Sequence, residues 1–402
     1  MKILIISQYF WPENFRINDV CLALKERGHY VSVLAGKPNY PHGKYFEGYS
    51  WWKKNKEVWE GVTIYRSNLI LRGSGGGVRL FLNYFSFSLL ASLKVLGIRE
   101  DFDKIFIFAP SPITVGIPGM VARKRFKARS YLWIQDLWPE SIKIAGGINN
   151  KFILGLLSKM TKWIYAHTDK LLVQSKGFIP YLQNQKVKVE KVIYYPFYAE
   201  SFYTVQEKHP QYMSTFPKNF KLVFAGNLGE SQSFNTLLKA ASILKNKSLE
   251  VKWLIYGDGR MKEEIVHKVH ELGLEDTFFL KGSLPASEMP KVFSCADGLI
   301  VSLKKSEIFS VTVPSKLQSY LACGKPIIGS LDGIGGQIIK DANAGYVADA
   351  EDPEGLAAAI EKLYNQSEKE RKAIGINGRT YYEKEFEREV LLSKLEEIFL
   401  NE

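Results

Sequence analysis

One lysine of this chain stands at the start of a predicted helix, where a negatively charged group could bind. The segment 312–328 reads TVPSKLQSYLACGKPII. Ser315 and Gln318 have the types and spacing of a capping box, and a glycine and a proline downstream end the helix. Lys316 then takes the first helical position, where its ammonium and free backbone N–H groups would converge on an anion such as a diphosphate. The alternative is a solvated lysine at a helix start.

Glycine-rich turns follow several strand-like runs in the second half of the chain. They are GNLG at 226–229, GDGR at 257–260, GSLP at 282–285 and DGIGG at 332–336. Each turn alone is common after a parallel strand. Because such strands end at the same edge of a sheet, the four together favour a cleft for the phosphates of a nucleotide.

The loop after the first predicted strand, QYFWPENF at 8–15, contains no glycine. A dinucleotide site needs glycines there so that the pyrophosphate can approach the backbone, and the loop therefore argues against an NAD enzyme. Aromatic and polar side chains at this place could instead hold a substrate such as a sugar or a lipid stem. The alternative is that Phe10 and Phe15 only pack the next helix against the sheet.

Two carboxylates lie at the end of another predicted strand, in WIQDLWPE at 133–140. Asp136 and Glu140 would lie at the carboxyl edge of the sheet. An acid there could orient an acceptor hydroxyl or stabilise positive charge at a sugar carbon. The alternative for Asp136 is to cap the following helix.

Strands and helices alternate along nearly all of the 402 residues, which is typical of parallel sheets covered on both faces. The pattern restarts near Lys221 after a less regular join at 195–220. The sequence therefore predicts two Rossmann-like domains. The polar and aromatic segment 39–60 is a long loop, of the kind that is usually functional, and 73–77 reads as a flexible connector.

Charge is unevenly distributed between the two halves of the chain. Residues 1–200 hold 29 basic and 14 acidic residues, whereas the remainder holds 25 and 28. A basic half suits an anionic membrane or another polyanion, and the alternative is a basic but merely soluble surface. Nucleic acid is not expected as a partner, because no nucleic-acid-binding signature is present.

Hydropathy and cysteine content indicate the cellular compartment in which the protein is expected. No uncharged apolar run is long enough to predict a transmembrane helix. The segment 80–98 is either a buried helix or a helix that lies on a membrane surface. Three widely spaced cysteines, Cys21, Cys295 and Cys323, form neither a metal motif nor a disulfide framework, which fits a reducing cytoplasm.

Several longer motifs resemble those of the retaining GT-B glycosyltransferases of glycosyltransferase family 4. Within that family the chain is most similar to bacterial L-fucosamine (L-FucNAc) transferases of O-antigen and capsule assembly. The motifs are SQYFWPENFRIND (7–19), RGHYVSVLAGKPNYPHGKYFEGY (27–49), QDLWPES (135–141), FAGNLGESQSFNTLLKAA (224–241), YGDGR (256–260) and VPSKLQSYLACGKPIIG (313–329).

The resemblance implies an α/β GT-B fold, with two Rossmann-like parallel-sheet domains facing a central cleft. The acceptor would bind residues 1–200 and the nucleotide-sugar donor residues 201–385, and the helix at 386–402 would pack back on the first domain. It also implies a UDP-sugar as substrate, with no metal or other cofactor. The expected acceptor is a polyprenyl-diphosphate-linked saccharide, which would place the enzyme in the cytoplasm, peripherally on the inner face of the cytoplasmic membrane.

The resemblance also suggests roles for individual residues. Asp136, Glu307 and Lys316 are the predicted catalytic residues. The predicted donor-binding residues are Gly226, Asn227, Gln232, Gly257, Arg260, Gly282, Ser283, Leu284, Ser315, Lys316 and Ser319. The predicted acceptor-binding residues are Trp11, Glu13, Asn14, Arg16, Asn39, Tyr40 and His42.

The chain departs from the family pattern at several of these positions. Asn227 and Gln232 stand where many members have Arg and Lys, so Lys316 would carry more of the diphosphate charge. Two glutamates of the family are absent near Val311 and Ser319, and Glu307 is the nearest acid. A retaining transferase of an N-acetylated deoxyhexose remains the main hypothesis, beside a UDP-sugar 2-epimerase of the same architecture and an inactive membrane-associated scaffold.

Overall fold

The computed structural model describes residues 1–73, 76–142 and 150–401. They form two compact α/β units, one of residues 1–195 with 392–402 and one of residues 196–391. The boundary at 195/196 falls within the predicted irregular join. Part of the predicted connector at 73–77, and Glu402 of the predicted final helix, lie outside the described residues.

The first unit is built on one sheet. Its strands are β1 (Lys2–Ser7), β2 (Tyr30–Gly36), β3 (Lys56–Trp59), β4 (Val62–Ser67), β5 (Lys104–Ala109), β6 (Arg129–Ile134), β7 (Lys170–Val173) and β8 (Val192–Tyr194). Its helices begin with α1 (Ile17–Glu26), α2 (Gly77–Leu96), α3 (Gly116–Phe126), α4 (Lys151–His167) and α5 (Phe178–Asn184). Short 3-10 helices lie at Ile113–Val115 and Val189–Lys191.

The strands of this sheet follow the order β3-β4-β2-β1-β5-β6-β7-β8. Except for β3, which is antiparallel to β4, the described strands pair in parallel. The inner strands are nearly continuous apolar runs, such as KIFIFA in β5, because helices cover both faces of a parallel sheet. The edge strand β3 was not predicted from the sequence, since it is short and only two of its four residues, KEVW, are apolar.

The second unit contains a second sheet. Its strands are β9 (Phe220–Ala225), β10 (Val251–Tyr256), β11 (Phe278–Gly282), β12 (Gly298–Ser302), β13 (Ile327–Ser330) and β14 (Gly345–Ala348). Its helices are α6 (Pro210–Thr215), α7 (Phe234–Asn246), α8 (Lys262–Glu271), α9 (Met289–Ser294), α10 (Glu307–Val311), α11 (Lys316–Ala322), α12 (Gly333–Asp341), α13 (Pro353–Tyr364) and α14 (Glu368–Glu385). Short 3-10 helices lie at Glu230–Gln232 and Ala286–Glu288.

The order of the second sheet, β11-β10-β9-β12-β13-β14, creates a switch point between β9 and β12. The chain runs from β9 to one edge through β10 and β11, and then returns to β12 and runs to the other edge. In open parallel sheets, ligands bind outside the carboxyl ends of the strands at such a point. This topology selects the loops after β9, β10 and β12 as the place to look for a ligand site.

The last helix, α15 (Arg388–Asn401), contributes its larger part to the first unit. The ring of Phe399 contacts the rings of Phe106 and Tyr131, at centroid distances of 5.6 and 4.8 Å. Glu396 pairs with Arg27 and with His29, whose Nε2 lies 2.7 Å from the carboxylate. Aromatic packing and ion pairs therefore hold residues 392–401 on the first sheet.

Helix α2 is long and apolar enough, by length and composition alone, to cross a membrane. Only 28% of the residues in its most apolar stretch of 18 are buried. Its buried residues include Asn83 and Phe87, and Asn83 Oδ1 accepts a hydrogen bond of 2.7 Å from Gln8 Nε2. Helix α2 is therefore packed on the first unit along one side and is exposed and apolar along the other.

Candidate functional site

A pocket of about 380 Å³ lies at the carboxyl edge of the second sheet. The loop after β9 lines it with Gly226 and Asn227, and the loop after β10 with Gly257 and Asp258. Ser283 and Leu284 close it from the loop after β11. Residues of three of the predicted glycine turns are thus brought to one pocket of the second unit, beside the switch point of the sheet.

Two glycines let the backbones of the first two loops approach each other. Gly226 and Gly257 have φ angles of +145° and +142°, and a Cβ atom on Gly257 would lie 1.8 Å from the carbonyl oxygen of Gly226. Gly226 N–H donates to the Tyr256 carbonyl, and Gly257 N–H donates to the Gly282 carbonyl. These glycines permit a bare stretch of backbone at the pocket, which suits a phosphate or a planar base.

Lys316 begins α11 as predicted and extends its ammonium to the loop after β9. Its Nζ donates a hydrogen bond of 2.5 Å to Gln232 Oε1 and lies 3.9 Å from the centroid of the Phe224 ring. A Cβ atom on Gly226 would lie 3.2 Å from this nitrogen. The structure thus brings together Lys316, Gln232 and Gly226, three of the predicted donor-binding residues.

The surroundings of Lys316 favour its neutral form in the absence of a ligand. Burial lowers the pKa of this ammonium to about 7, because a neutral amide and an aromatic face replace the water around it. An anion placed at Gly226 would reverse this effect, since an opposite charge favours the ammonium. Lys316 is therefore suited to bind a group that brings negative charge.

The predicted capping box at the start of α11 is wrong. Ser315 has helical backbone angles, and its exposed side chain makes no capping hydrogen bond. The helix has seven residues, so its N-terminus supplies a small dipole, and the lysine side chain carries the charge of the site.

Tyr320 and Ser319 lie on the buried side of α11. The Tyr320 hydroxyl accepts a hydrogen bond of 3.0 Å from the Ala225 N–H and lies 3.4 Å from the Ala225 carbonyl. It thereby ties α11 to the end of β9. The sequence places Tyr320 on an apolar helix face, but the contact of its hydroxyl depends on tertiary structure.

Other predicted residues of the second unit lie around the pocket rather than in it. Arg260 is exposed and forms an ion pair of 3.1 Å with Glu230. Glu307 is exposed at the start of α10, outside the described residues that line the pocket. Its predicted catalytic role has no support from this geometry and stays a prediction.

Asp136 of the first unit follows β6, as predicted, and lies in a separate apolar pocket. Tyr84 and Phe81 of α2 and Trp138 line this pocket beside it. Burial raises the pKa of the Asp136 carboxyl to about 7, because charge is disfavoured among apolar side chains. An acid with this pKa could accept a hydrogen bond from a substrate hydroxyl near neutral pH.

The predicted acceptor-binding residues fall into two groups. Glu13 and Asn39 are buried, and the Glu13 carboxylate accepts N–H hydrogen bonds of 2.8 Å from Asn39 and 2.7 Å from Tyr40. Burial raises the pKa of Glu13 to about 7, although these N–H groups oppose the shift. Glu13 and Asn39 therefore hold the loop that begins at residue 37 in place.

The second group remains accessible. Tyr40 is 39% exposed, and its ring packs with those of Tyr9 and Phe15. Asn14 and His42 are exposed as well. Trp11 stacks on Trp59, and Arg16 directly precedes α1. Tyr40, Asn14 and His42 thus remain available to an acceptor.

Two buried cations of the same loop region were not predicted. Arg66 donates to Glu57 Oε1 at 2.7 Å and to the Gly36 carbonyl at 3.1 Å. Lys37 is buried and donates to the Trp51 carbonyl at 2.7 Å. They hold the long segment 39–60 on the sheet. Lys37 and Trp51 are 14 residues apart and Arg66 and Gly36 are 30 residues apart, and no local pattern marks such partners.

Among the described residues, no group of three or more His, Cys, Asp and Glu side chains could hold a metal ion. The three cysteines are buried and unpaired with one another.

Comparison with known proteins agrees with this fold. Residues 205–381 match the family model of glycosyl transferases group 1. The chain is 26% identical, over 81% of its length and 82% of the relative's, to a candidate colanic acid biosynthesis glycosyl transferase, WcaI, of Escherichia coli strain K12.

Two solved structures have the same fold over the whole chain. Sucrose-phosphate synthase from Thermosynechococcus elongatus has a TM-score of 0.78 and 16% identity, and covers 100% of this chain and 98% of its own. Anabaena HepE, solved in complex with UDP, has a TM-score of 0.73 and 12% identity, and covers 100% of both chains. These likenesses confirm the predicted GT-B fold.

Proposed function

We propose that this chain, with its glycosyl transferases group 1 domain at 205–381, transfers a sugar from a UDP-sugar to a saccharide acceptor of surface polysaccharide assembly. The observation that carries the proposal is the Lys316 ammonium beside Gly226, at the pocket of the second sheet. A role in polysaccharide assembly is supported by the relative that is named for colanic acid biosynthesis. UDP as the nucleotide of the donor is supported by HepE, which was solved in complex with UDP.

The donor would be held by the second unit alone. The uracil would lie against Ser283 and Leu284, and the diphosphate would lie over Gly226 within reach of Lys316. Asn227 and Gln232 would add amide hydrogen bonds to the phosphate oxygens. A charge-assisted hydrogen bond from the ammonium would strengthen as negative charge develops on the leaving UDP, which is where catalysis needs it.

The proposed reaction retains the configuration of the sugar. The bond from C1 of the sugar to the phosphate oxygen breaks, and a bond from C1 to the acceptor oxygen forms on the same face. The proton of the acceptor hydroxyl goes to an oxygen of the leaving phosphate. Asp136 would orient that hydroxyl, and Lys316 would stabilise the UDP that departs.

The acceptor is proposed to be a saccharide linked to a polyprenyl diphosphate, and the donor sugar an N-acetylated 6-deoxyhexose such as L-FucNAc. Such an acceptor places the enzyme on the inner face of the cytoplasmic membrane. The excess of basic residues in 1–200 supports contact with anionic lipid.

We propose that no metal neutralises the diphosphate, because Lys316 can do so. Chelation with EDTA should therefore leave the turnover of the purified enzyme unchanged. A loss of turnover that added Mg²⁺ or Mn²⁺ restores would contradict this part of the proposal.

A donor screen that measures UDP release tests the main proposal. Once a donor is identified, Lys316→Ala should lower kcat by about a hundredfold or more, because it removes a cation from the leaving group. Lys340→Ala changes an exposed lysine of the same unit, near the end of α12, and is the matched control, with kcat expected within about twofold of the wild type. Wild-type turnover by Lys316→Ala would remove the diphosphate assignment.

The same screen distinguishes other activities. Conversion of one UDP-sugar into another without UDP release would indicate an epimerase instead of a transferase. If the protein binds no UDP-sugar in calorimetry, both enzyme readings fail and the scaffold hypothesis is left.

A further inference from the structure

The two middle strands of the second sheet separate at the point where the pocket begins. Among the described residues, β9 pairs with β12 through Leu222 and Val223, whereas it pairs with β10 as far as Ala225. Gly226 N–H donates to the Tyr256 carbonyl of β10, so Ala225, one residue earlier, directs its N–H and carbonyl groups to the opposite side. The opening between β9 and β12 therefore deprives both backbone groups of Ala225 of a partner in the sheet.

The Tyr320 hydroxyl takes the place of that strand partner. It accepts a hydrogen bond of 3.0 Å from Ala225 N–H and donates one of 3.4 Å to the Ala225 carbonyl oxygen. Tyr320 is 1% exposed, and its ring lies edge-on to that of Phe293 on α9, at a centroid distance of 5.2 Å. A ring fixed in the core thus carries one hydroxyl to two backbone groups that the sheet leaves unpaired.

Lys316 contacts the same end of β9. Its Nζ lies 3.9 Å from the centroid of the Phe224 ring, and a Cβ atom on Gly226 would lie 3.2 Å from it. The Tyr320 contact falls on Ala225, the residue between these two. Lys316 and Tyr320 are four positions apart on α11, which puts them on one face of the helix. Because α11 has only seven residues, its place on the sheet depends on such tertiary contacts more than on its own helical stability.

We propose that Tyr320 is a positioning residue, whose hydroxyl fixes the start of α11 at the opening between β9 and β12 and so keeps the Lys316 ammonium beside Gly226. Tyr320 is not among the described residues that line the pocket, so it would act through Lys316 and not by contact with the diphosphate. The other end of the helix is held separately, because Arg379 Nη1 donates to the Ala322 carbonyl oxygen at 2.8 Å. Loss of the hydroxyl should therefore shift the start of α11 and leave the helix folded.

This inference rests on the proposed function, because it concerns the residue that would bind the diphosphate of the donor. It adds a residue that neither a sequence motif nor the lining of the pocket indicates. It also gives the switch point of the sheet a second consequence. The separation of strands that makes room for a ligand leaves a gap in the backbone hydrogen bonds, and a side chain of the helix that carries the binding lysine closes that gap.

The test measures the affinity of UDP for the full chain by calorimetry, in a cycle of Tyr320→Phe, Lys316→Met and the double variant. Tyr320→Phe keeps the ring and removes the hydroxyl. We expect it to raise the Kd of UDP by about tenfold where Lys316 is present, because a small misplacement of a charged group is costly. In the Lys316→Met background we expect a change of less than about twofold, because the residue through which Tyr320 acts is gone. Equal weakening in both backgrounds would indicate a merely structural role and would overturn the inference.

Tyr382→Phe is the matched control. Tyr382 is 5% exposed and packs in the same apolar core as Tyr320, and its hydroxyl donates to the Ala199 carbonyl oxygen at 3.5 Å. Neither Tyr382 nor Ala199 is among the described residues that line the pocket. We expect this variant to bind UDP within about twofold of the wild type. If it weakens binding as much as Tyr320→Phe does, general loosening of the core explains both effects and the inference fails.

A second measurement does not depend on affinity. Hydrogen exchange of the backbone amides at 224–228, followed by mass spectrometry, should be faster in Tyr320→Phe than in Tyr382→Phe, because Ala225 N–H loses its acceptor. Exchange at the same rate in both variants would show that the Tyr320 hydroxyl does not hold this part of β9, and would also overturn the inference.

Binding of UDP by the wild type separates this inference from the proposed function. If the wild type binds UDP and Tyr320→Phe binds it equally well, the positioning role of Tyr320 alone fails. If the wild type binds neither UDP nor a UDP-sugar, the proposed function fails and the inference fails with it.

Discussion

Lys316 has contacts that would stabilise an ammonium, but its pKa is lowered. Its Nζ donates to the Gln232 amide oxygen and lies over the Phe224 ring, whereas burial lowers its pKa to about 7. Burial of this charge without an anionic partner destabilises the unliganded protein. A bound diphosphate would remove this destabilisation, and part of the binding free energy of the donor would come from its removal.

The burial of Lys316 predicts how the stability of the protein changes with pH. In the unfolded chain the lysine has its ordinary pKa of about 10.4, so between pH 7 and that value the unfolded state binds more protons. The free energy of unfolding of the wild type should therefore rise from pH 7 to pH 10 relative to that of Lys316→Met. Urea unfolding of both proteins at several pH values measures the difference.

Lys305→Met serves as control for this experiment. Its difference from the wild type should stay constant over the same pH range, since Lys305 is exposed. A difference between the wild type and Lys316→Met that is also independent of pH would show that Lys316 is charged and solvated in the unliganded protein.

The helix starts show which local patterns can be read from a sequence. SKLQ at 315–318 and SEKE at 367–370 both match the capping-box pattern. At α14 the box forms, because Ser367 accepts from Glu370 N–H and the Glu370 carboxylate accepts from Ser367 N–H. At α11 it does not, because the preceding residue has already entered the helical conformation. The pattern gives the position of both helices but not the geometry of their ends.

This difference predicts unequal costs for the same substitution. Ser367→Ala should destabilise the protein by about 1 kcal/mol, as loss of an N-cap usually does. Ser315→Ala should change stability by less than about 0.5 kcal/mol, because its side chain makes no capping hydrogen bond. Chemical denaturation of the two variants gives both values, and equal costs would contradict the assignment of the caps.

At the level of elements, the sequence predicts what local periodicity determines. The inner strands, the glycine turns and the first residue of α11 were predicted, because apolar runs and glycines encode them locally. Edge strand β3, the buried Arg66 and Lys37, and the hydroxyl contact of Tyr320 were not. Strand β3 pairs with the neighbouring β4, but it is short and only half of its residues are apolar. The partners of Lys37 and Tyr320 are distant in sequence, so only the folded chain brings them together.

At the scale of the whole molecule, charge and exposed apolar surface occur in the same half of the chain. Residues 1–200 have 15 more basic than acidic residues, and the remainder has three more acidic than basic ones. The first unit also carries the apolar outer side of α2. Basic residues draw a protein to anionic lipid by about 1 kcal/mol each near the surface, and apolar side chains then insert into the interface.

A membrane role of α2 can be tested against an equally exposed residue of the second unit. Leu93 on α2 and Val266 on α8 are 57% and 52% exposed. Vesicles of phosphatidylcholine with phosphatidylglycerol should bind the wild type and Val266→Glu in a flotation assay, and binding should fall several-fold for Leu93→Glu, because a carboxylate opposes both insertion and the anionic surface. Since salt screens the attraction of the basic residues, raising its concentration should weaken all binding. Equal binding by the two glutamate variants would exclude α2 as the contact, whereas binding to vesicles of phosphatidylcholine alone would show that charge does not select the membrane.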